Sequence, residues 1–302
     1  MINRVRIGLA QKLRSCADRI HVQSSRTFVD PLYPPSGSGQ LLGNRTALIT
    51  GAGANIGRSI ALEMARHGAR ILFTDIDPER CERLEAKLAA FPIVARGFRS
   101  DVSDPDEVDS LCERLLHDHL LPDILVNNVG IALPTRNLLE LDESAMEQVF
   151  RTNVFGPLRL TRHLVGAMVD RHIQASVVFL TSIHQWEIER DVSYTASKAA
   201  LGMVIKELAI DLAPYGIRVN GIAPAFVKED EQGRSLPDPN APLFQRSINP
   251  KYIGRAAVYL ASDYFSLHTT GTVLKIDAGA TANNHIAQMF PPGPPPLGRA
   301  QP

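Results

Sequence analysis

Three side chains that can move protons stand close together in the middle of the chain. Tyr194 and Lys198 are four residues apart in a run that predicts a helix, so the phenol and the ammonium lie on one face. A neighbouring cation favours the phenolate, and we expect it to lower the pKa of Tyr194 from its usual value of about 10. Ser182 lies twelve residues upstream at the end of a predicted buried strand, where its hydroxyl can donate to a developing oxyanion. These residues predict acid–base chemistry at a substrate oxygen.

A glycine-rich turn leads the first predicted strand into a helix. It contains Gly51, Gly53 and Gly57, together with Asn55 and Ile56. Such a turn can bring backbone N–H groups and the positive end of a helix against a pyrophosphate. The same glycines also fit a tight strand-to-helix connection, so the turn alone does not decide between the two interpretations.

Asp75 ends the second predicted strand, eighteen residues beyond Gly57. A carboxylate at this place accepts hydrogen bonds from an adenosine ribose and repels a 2′-phosphate, which favours NAD over NADP. Arg58 instead favours NADP, because a guanidinium directly after the turn could meet a 2′-phosphate. The alternative interpretations are a solvated turn carboxylate for Asp75 and a surface helix residue for Arg58.

Strands and helices must alternate to position these residues. Continuous apolar runs predict strands at 46–50, 69–75, 92–98, 123–128, 176–182, 217–223 and 272–277, and helical patterns lie between them at 56–67, 78–90, 105–119, 143–171, 194–213 and 250–262. Apolar runs without polar alternation are typical of strands that are covered on both faces. We therefore predict an α/β fold with a single doubly wound parallel sheet, the Rossmann fold, over residues 44–283. The ligand should lie beyond the carboxyl ends of the strands.

Composition excludes several classes of function. The chain has 302 residues with 32 basic and 32 acidic side chains, so it lacks the positive field that a nucleic-acid partner or anionic membrane needs. No run approaches about 18 apolar residues, which predicts no membrane span. Cys16, Cys81 and Cys112 are far apart and lack metal-finger spacing, so we expect no metal site, no disulfide scaffold and a reducing compartment, most simply the cytoplasm.

The two ends differ from the middle. Residues 1–43 combine a basic amphipathic pattern with a linker rich in Pro, Gly and Ser. Residues 1–28 could be a packing or oligomerisation arm, a mitochondrial transit peptide or a membrane-surface helix, and a transit peptide would make the location mitochondrial. Residues 284–302 are rich in proline and predict a disordered tail, with an SH3-type ligand as a minor alternative.

With these motifs in this order, the chain resembles the short-chain dehydrogenases/reductases of the smaller, single-domain kind over about residues 44–280. Residues 50–57 resemble the family's TGxxxGxG cofactor turn and residues 127–130 resemble its NNAG strand end. Residues 224–227 resemble its PGxxxT nicotinamide loop, and 277–279 its strand end near the C-terminus. The resemblance implies reversible hydride transfer between a nicotinamide ring and a secondary alcohol or ketone.

The resemblance also implies a role for each residue of the centre. Tyr194 would exchange the substrate proton, Lys198 would lower the pKa of Tyr194 and bind the nicotinamide ribose, and Ser182 would orient the carbonyl oxygen. Asn153 would hold a water in the proton relay. The cofactor residues implied are Gly51, Asn55, Ile56, Gly57, Asp75, Asp101, Val102, Asn128, Tyr194, Lys198 and Val227.

Several positions depart from the family pattern. Asn55 replaces a glycine, but Asn tolerates positive φ, so the turn should survive. Ala225 also replaces a glycine. Glu229 stands where the family has a threonine that contacts the cofactor, and we expect its carboxylate to turn outward or to help bind substrate, since it would repel a diphosphate. The interval before Tyr194 is one residue short, which leaves Thr181 as an alternative hydroxyl to Ser182.

Substrate and assembly are read from the remaining segments. Residues 183–187 and 226–250 are polar and acidic, which favours a sugar or polyol-like substrate over a small or secondary-metabolite ketone, and over a steroid or fatty-acyl group. With Ser182, we expect His184 and Trp186 to bind the substrate, since both loosely resemble the corresponding loop of bacterial glucose dehydrogenases. Long apolar helix faces predict a homodimer or homotetramer. The rival hypothesis is a cofactor-binding regulatory protein that has lost turnover.

Overall fold

The computed structural model describes residues 40–134, 137–229, 234–238, 243 and 246–283. Its centre is a seven-stranded sheet in which all neighbouring strands are parallel. The strands are β1 Thr46–Ile49, β2 Arg70–Asp75, β3 Ala95–Arg99, β4 Ile124–Asn127, β5 Ala175–Leu180, β6 Ile217–Pro224 and β7 Val273–Ile276. Their order across the sheet is β3-β2-β1-β4-β5-β6-β7. The predicted doubly wound α/β fold is confirmed, and its switch point lies between β1 and β4.

Helices connect the strands on both sides of the sheet. They are α1 Asn55–Arg66, α2 Pro78–Leu88, α3 Pro105–His117, α4 Glu143–Phe150, α5 Gly156–Asp170, α6 Val192–Leu212, α7 Pro250–Ala261 and the short α8 Asp263–Ser266. The single helix predicted over 143–171 is wrong in one respect, because a π-helical turn at Arg151–Phe155 separates α4 from α5. Pro157 follows that turn and has no N–H to continue the ordinary hydrogen-bond ladder.

Different helices cover the two faces of the sheet. Leu48 and Ile49 are neighbours in β1, and because successive strand side chains point to opposite faces they enter separate cores. The core around Ile49 contains side chains of α1, α2 and α7, and the core around Leu48 contains side chains of α3, α5 and α6. Both faces are closed to water, which explains why the strands are apolar throughout.

The N-termini of the helices are not equivalent. Asp77 and Asp104 each accept hydrogen bonds from two backbone N–H groups of the helix that follows, and each precedes a proline at the first helical position. α1 begins instead after Ala54, which has no side chain that could cap it. The first turn of α1 therefore keeps N–H groups that no side chain caps, at the edge of the sheet where the ligand is expected.

The opposite, N-terminal edge of the sheet holds a network of ion pairs. Arg45 pairs with Asp123 at 3.0 Å and with Asp263 at 2.7 Å. Asp263 also pairs with Arg218, whose buried guanidinium donates to the Leu260 carbonyl at 2.7 Å. These contacts tie the starts of β1, β4 and β6 to the end of α7.

The predicted terminal segments are largely outside the described residues. These are residues 1–39 of the N-terminal extension and the tail at 284–302. Cys81 and Cys112 are buried free thiols. In the described part of the chain, none of the helices combines the length and apolar character needed to cross a membrane.

Candidate active site

The turn between β1 and α1 depends on small residues. Gly51 has φ +61°, and a Cβ atom on Gly57 would collide with the Gly51 carbonyl oxygen. Asn55, which replaces a glycine of the family pattern, has φ +46° and is accommodated in the left-handed region. The turn is therefore intact despite the substitution.

A cavity of about 450 Å³ opens in front of this turn. Its walls contain the predicted cofactor residues Gly51, Asn55, Ile56, Gly57, Asp75, Asp101, Val102 and Asn128. They also contain residues that the sequence did not single out, among them Ile76, Arg80, Gln148 and Thr152. The uncapped first turn of α1 and the glycine cradle fit a dinucleotide diphosphate.

Asp75 lies at the end of β2 in this wall and is 5% exposed. Its carboxylate accepts hydrogen bonds from the Gly53 N–H at 2.9 Å and the Asp77 N–H at 3.1 Å. Arg80 also lines the cavity, 3.9 Å from Asp75 and 3.2 Å from Asp77. The carboxylate is thus built into the turn and does not have the solvated setting of the alternative interpretation.

Arg58 and Glu229 form an ion pair that the sequence did not predict. The Arg58 Nη2 atom lies 2.9 Å from the Glu229 Oε1 atom. Arg58 is therefore directed toward the loop after β6, and neither Arg58 nor Glu229 lines the walls of the two cavities described here. The two residues are 171 positions apart, so no local pattern could have indicated the contact.

Asn128 holds the glycine turn from the neighbouring strand β4. Its Nδ2 atom donates to the carbonyls of Thr50 and Gly51, at 2.9 Å and 3.2 Å. The Thr50 hydroxyl accepts in return from the backbone N–H groups of Asn128 and Val129. The amide of Asn128 is thereby used within the protein, although the residue still lines the cavity.

A second cavity, of about 270 Å³, lies at the carboxyl ends of β5 and β6. Its walls include Ser182, Tyr194, Lys198 and Val227. The first and second cavities share Ile56, Asn128 and Gly130. The structure therefore places the predicted proton-transfer residues directly beside the predicted cofactor residues.

Lys198 is buried, and burial lowers its pKa to about 8. Its ammonium donates to the Leu180 carbonyl at 2.9 Å and lies 5.6 Å from the centroid of the Tyr194 ring. A pKa of about 8 keeps the ammonium form dominant at pH 7. The buried cation therefore has one hydrogen-bond acceptor among the described residues.

The pKa of Tyr194 moves in the direction opposite to the prediction. Burial raises it, the nearby carboxylates of Glu189 and Asp191 raise it further, and a hydrogen bond with Ser182 opposes them. The expected lowering by Lys198 is not found, since burial is the largest cause of the shift and Lys198 is not among its causes. The phenol of Tyr194 therefore holds its proton firmly at neutral pH.

The hydroxyl of Ser182 and that of its alternative, Thr181, differ in their hydrogen bonds. The Thr181 hydroxyl donates to the Ile222 carbonyl at 3.2 Å and accepts from the Gln185 side chain at 3.0 Å. The Ser182 hydroxyl accepts only from the His184 N–H among the hydrogen bonds of the described residues, at 3.2 Å, and can still donate toward the Tyr194 phenol. Ser182 is accordingly the better placed hydroxyl for a substrate oxygen.

Asn153 lies in the π-helical turn and is fully buried. Its side-chain amide accepts from the Ile131 N–H at 2.8 Å and donates to the Ile131 carbonyl at 2.9 Å and the Ser197 hydroxyl at 3.0 Å. The amide that we expected to hold a relay water is thus committed to the protein. It holds the segment at Gly130 and Ile131, which lines the first cavity, against α6.

The predicted substrate residues His184 and Trp186 do not line the walls of the second cavity. The His184 ring packs edge-on to the Tyr194 ring with centroids 6.3 Å apart, and its Nε2 atom is 3.6 Å from Glu189. Its buried Nδ1 atom has no hydrogen-bond partner in the described structure. Trp186 is half exposed, and the Lys275 ammonium lies 4.4 Å from its ring centroid.

Several known proteins are similar to this chain in sequence and fold. A family model described as enoyl-(acyl carrier protein) reductase matches residues 51–281. Oxidoreductase UcpA of Salmonella typhimurium is 33% identical over 264 residues, which cover 82% of this chain and 98% of that protein. The NADPH-dependent aldehyde reductase 1, chloroplastic, of Arabidopsis thaliana is 30% identical over 288 residues, covering 90% and 98%.

A solved structure agrees with these relatives. A short-chain type dehydrogenase/reductase from Mycobacterium marinum superposes with a TM-score of 0.73 at 29% identity, covering 80% of this chain and 96% of that one. This chain therefore belongs to the short-chain dehydrogenase/reductase family, and it is an oxidoreductase that acts on alcohol or carbonyl groups with a nicotinamide cofactor.

Proposed function

We propose that this oxidoreductase interconverts a secondary alcohol and a ketone, with Tyr194, Ser182 and Lys198 as its catalytic centre. The observation that carries the proposal is that all three side chains line one cavity that adjoins the glycine turn. A bound nicotinamide dinucleotide supplies the hydride chemistry. The chain supplies position and a proton at the carboxyl edge of its sheet.

Tyr194, Ser182 and Lys198 have separate roles in the transfer of one proton. The Tyr194 phenol, with its raised pKa, is protonated at neutral pH and suited to give a proton to a ketone oxygen. Ser182, whose hydroxyl forms a hydrogen bond with Tyr194, is placed to direct the same substrate oxygen. The Lys198 ammonium lies 5.6 Å from the centroid of the Tyr194 ring and keeps donor capacity beyond the Leu180 carbonyl, which the ribose of a bound nicotinamide could accept. Asn153 keeps the surrounding segment in place.

We further propose that the cofactor is NAD rather than NADP. Asp75 presents a buried carboxylate at the end of β2, in the cavity wall, where it would meet the adenosine ribose. Arg58, the residue that argued for NADP, is engaged by Glu229. Arg80 is held between Asp75 and Asp77. The NADPH dependence named for the Arabidopsis relative makes this preference a necessary measurement.

For the substrate we propose a polar molecule, such as a sugar or polyol-like alcohol. The support is the polar and acidic sequence of residues 183–187, which follow Ser182, and of residues 226–250. Polar side chains near a site suit a ligand that brings hydroxyl groups to pair with them. Small or secondary-metabolite ketones are the second class, and steroid or acyl substrates the third.

The test measures reduction of NAD and NADP by the purified protein over sugars, polyols, simple secondary alcohols and hydroxysteroids. We expect turnover with NAD on one class, abolished by Tyr194→Phe. Tyr264→Phe is the matched control, because that phenol lies at the other edge of the sheet and is 41% exposed. Undiminished turnover in Tyr194→Phe would contradict the assignment. NADH binding without any turnover would favour the regulatory hypothesis.

We propose a homodimer or homotetramer assembled through α5, α6 and the π-helical turn. Phe155, Met203 and Ile210 expose large apolar side chains on these elements, more than one sheet face requires. Light scattering at micromolar concentration tests the assembly, and a strict monomer would contradict it. We propose a cytoplasmic location, or a mitochondrial one if residues 1–28 direct import, and fluorescent fusions with and without residues 1–28 separate the two.

A further inference from the structure

We propose that Arg58 and Glu229 act as a charge-neutralising clasp beside the cofactor diphosphate, and that cofactor affinity depends on the pair rather than on either residue. The inference rests on the assignment of the first cavity to a nicotinamide dinucleotide. It makes both residues positioning residues, because they act on the cofactor through each other.

The clasp joins two walls of the site. Arg58 lies in the first turn of α1, two residues after Ile56, which lines both cavities. Glu229 lies two residues after Val227, which lines the second cavity. Their 2.9 Å contact therefore links the helix that faces the diphosphate to the loop that faces the nicotinamide side.

The loop that carries Glu229 is held on its other side by main-chain contacts. Val227 pairs with Ile248 in a parallel bridge, and the Lys228 N–H donates to the Ile248 carbonyl at 3.1 Å. The Ser247 hydroxyl donates to the Lys228 carbonyl at 2.8 Å. The loop is thus anchored without the ion pair, so loss of either charge should leave the local backbone in place.

Charge explains why the pair matters. The side chain of Arg58 is 31% exposed and that of Glu229 is 23% exposed, so both are only partly screened by water. Alone, a carboxylate at this place would repel a diphosphate. Paired with Arg58, it presents no net charge, which allows the chain to carry glutamate where the family resemblance leads one to expect threonine.

The experiment is a double-mutant cycle on the dissociation constant of NADH, followed by its fluorescence. We expect Arg58→Gln to weaken NADH binding about five- to tenfold, because it leaves the Glu229 carboxylate unpaired. Glu229→Gln alone should leave the affinity unchanged or a few fold tighter. The double variant R58Q/E229Q should return to within about twofold of the wild type, and the Arg58→Gln defect should shrink between low and high salt.

Two results would overturn the clasp. If the double variant binds NADH as weakly as Arg58→Gln, then Arg58 acts on the cofactor directly. If neither single variant changes binding, the pair has no part in it. Arg96→Gln is the matched control, because Arg96 pairs with Asp118 at 3.0 Å with similar exposure, and no residue within two positions of either one lines the two cavities. A wild-type protein that fails to bind NADH at all would instead overturn the cofactor assignment itself.

Discussion

Buried cations at the two edges of the central sheet differ in how many hydrogen-bond partners they have. At the N-terminal edge, the Arg218 guanidinium is 6% exposed and reaches the Leu260 carbonyl, the Ser266 hydroxyl and the Asp263 carboxylate. At the C-terminal edge, the equally buried Lys198 ammonium has the Leu180 carbonyl as its one hydrogen-bond acceptor in the described structure. At the N-terminal edge the buried cation is bonded on several sides by the protein, whereas at the C-terminal edge Lys198 keeps N–H groups that a ligand could accept from.

The same contrast extends to the neutral groups. The helix N-terminus at α1 has no side-chain cap, and the His184 Nδ1 atom is buried without a partner. Polar groups left without a protein partner cost stability in the free protein, and a ligand that forms hydrogen bonds with them would offset that cost. The stability of this fold should therefore depend mainly on the N-terminal edge and its turnover on the C-terminal edge. The following substitutions test that division.

The largest effect is expected at Lys198. Lys198→Met removes the ammonium beside Tyr194 and the donor that we propose for the nicotinamide ribose, so turnover should fall about 10²- to 10⁴-fold. It also removes a buried charge, so the free energy of unfolding should rise by about 1–2 kcal/mol. Turnover and chemical denaturation measure the two quantities. Lys206→Met, at an exposed position of the same helix, is the control, and a destabilised Lys198→Met would contradict the contrast.

The reverse result is expected at the other edge. Arg218→Met removes a buried guanidinium that bonds both Asp263 and the Leu260 carbonyl, although Asp263 keeps Arg45, so the free energy of unfolding should fall by about 2–4 kcal/mol. The turnover of the remaining folded protein should be unchanged. Arg83→Met, at an exposed helical position, is the control for denaturation. Equal stability of the two variants would show that the network contributes little.

A smaller effect is expected for cofactor choice. Asp75→Ser removes the carboxylate that repels a 2′-phosphate and frees Arg80 to meet it, so the ratio of kcat/KM for NADP to that for NAD should rise about tenfold. Steady-state kinetics with both cofactors measures the ratio, with the exposed Asp106→Ser as control. An unchanged ratio would mean that Asp75 serves only to hold the Gly53 turn.

The last effect concerns pH. The Lys198 pKa of about 8 in the folded chain is below its usual 10.5, so between these pH values the unfolded chain binds more protons. The free energy of unfolding of the wild type should therefore rise with pH in this window, by up to about 3 kcal/mol. The difference in the free energy of unfolding between Lys198→Met and the wild type should therefore shrink as the pH rises across this range, as measured by chemical denaturation. A constant gap between them would contradict the low pKa of the buried ammonium.

Much of this site could be predicted from local sequence. The order of strands and helices follows from apolar runs and helical periodicity, and the glycine turn follows from residues that are contiguous. The approach of Ser182 to Tyr194 and Lys198 follows from a strand end and a helix face. These are features in which short-range geometry determines which side chains meet.

Contacts between segments that are distant in sequence could be learned only from the folded structure. It paired Arg58 with Glu229, committed Asn153 to Ile131 and Ser197, and raised the Tyr194 pKa that the sequence led us to expect lowered. Each outcome is set by burial and by which loops lie side by side, and a spacing along the chain carries neither. Residue types and spacing were enough to identify which side chains could do the chemistry. Packing set their hydrogen-bond partners and the direction of the pKa shifts, because electrostatic energies depend on surroundings that only the folded chain creates.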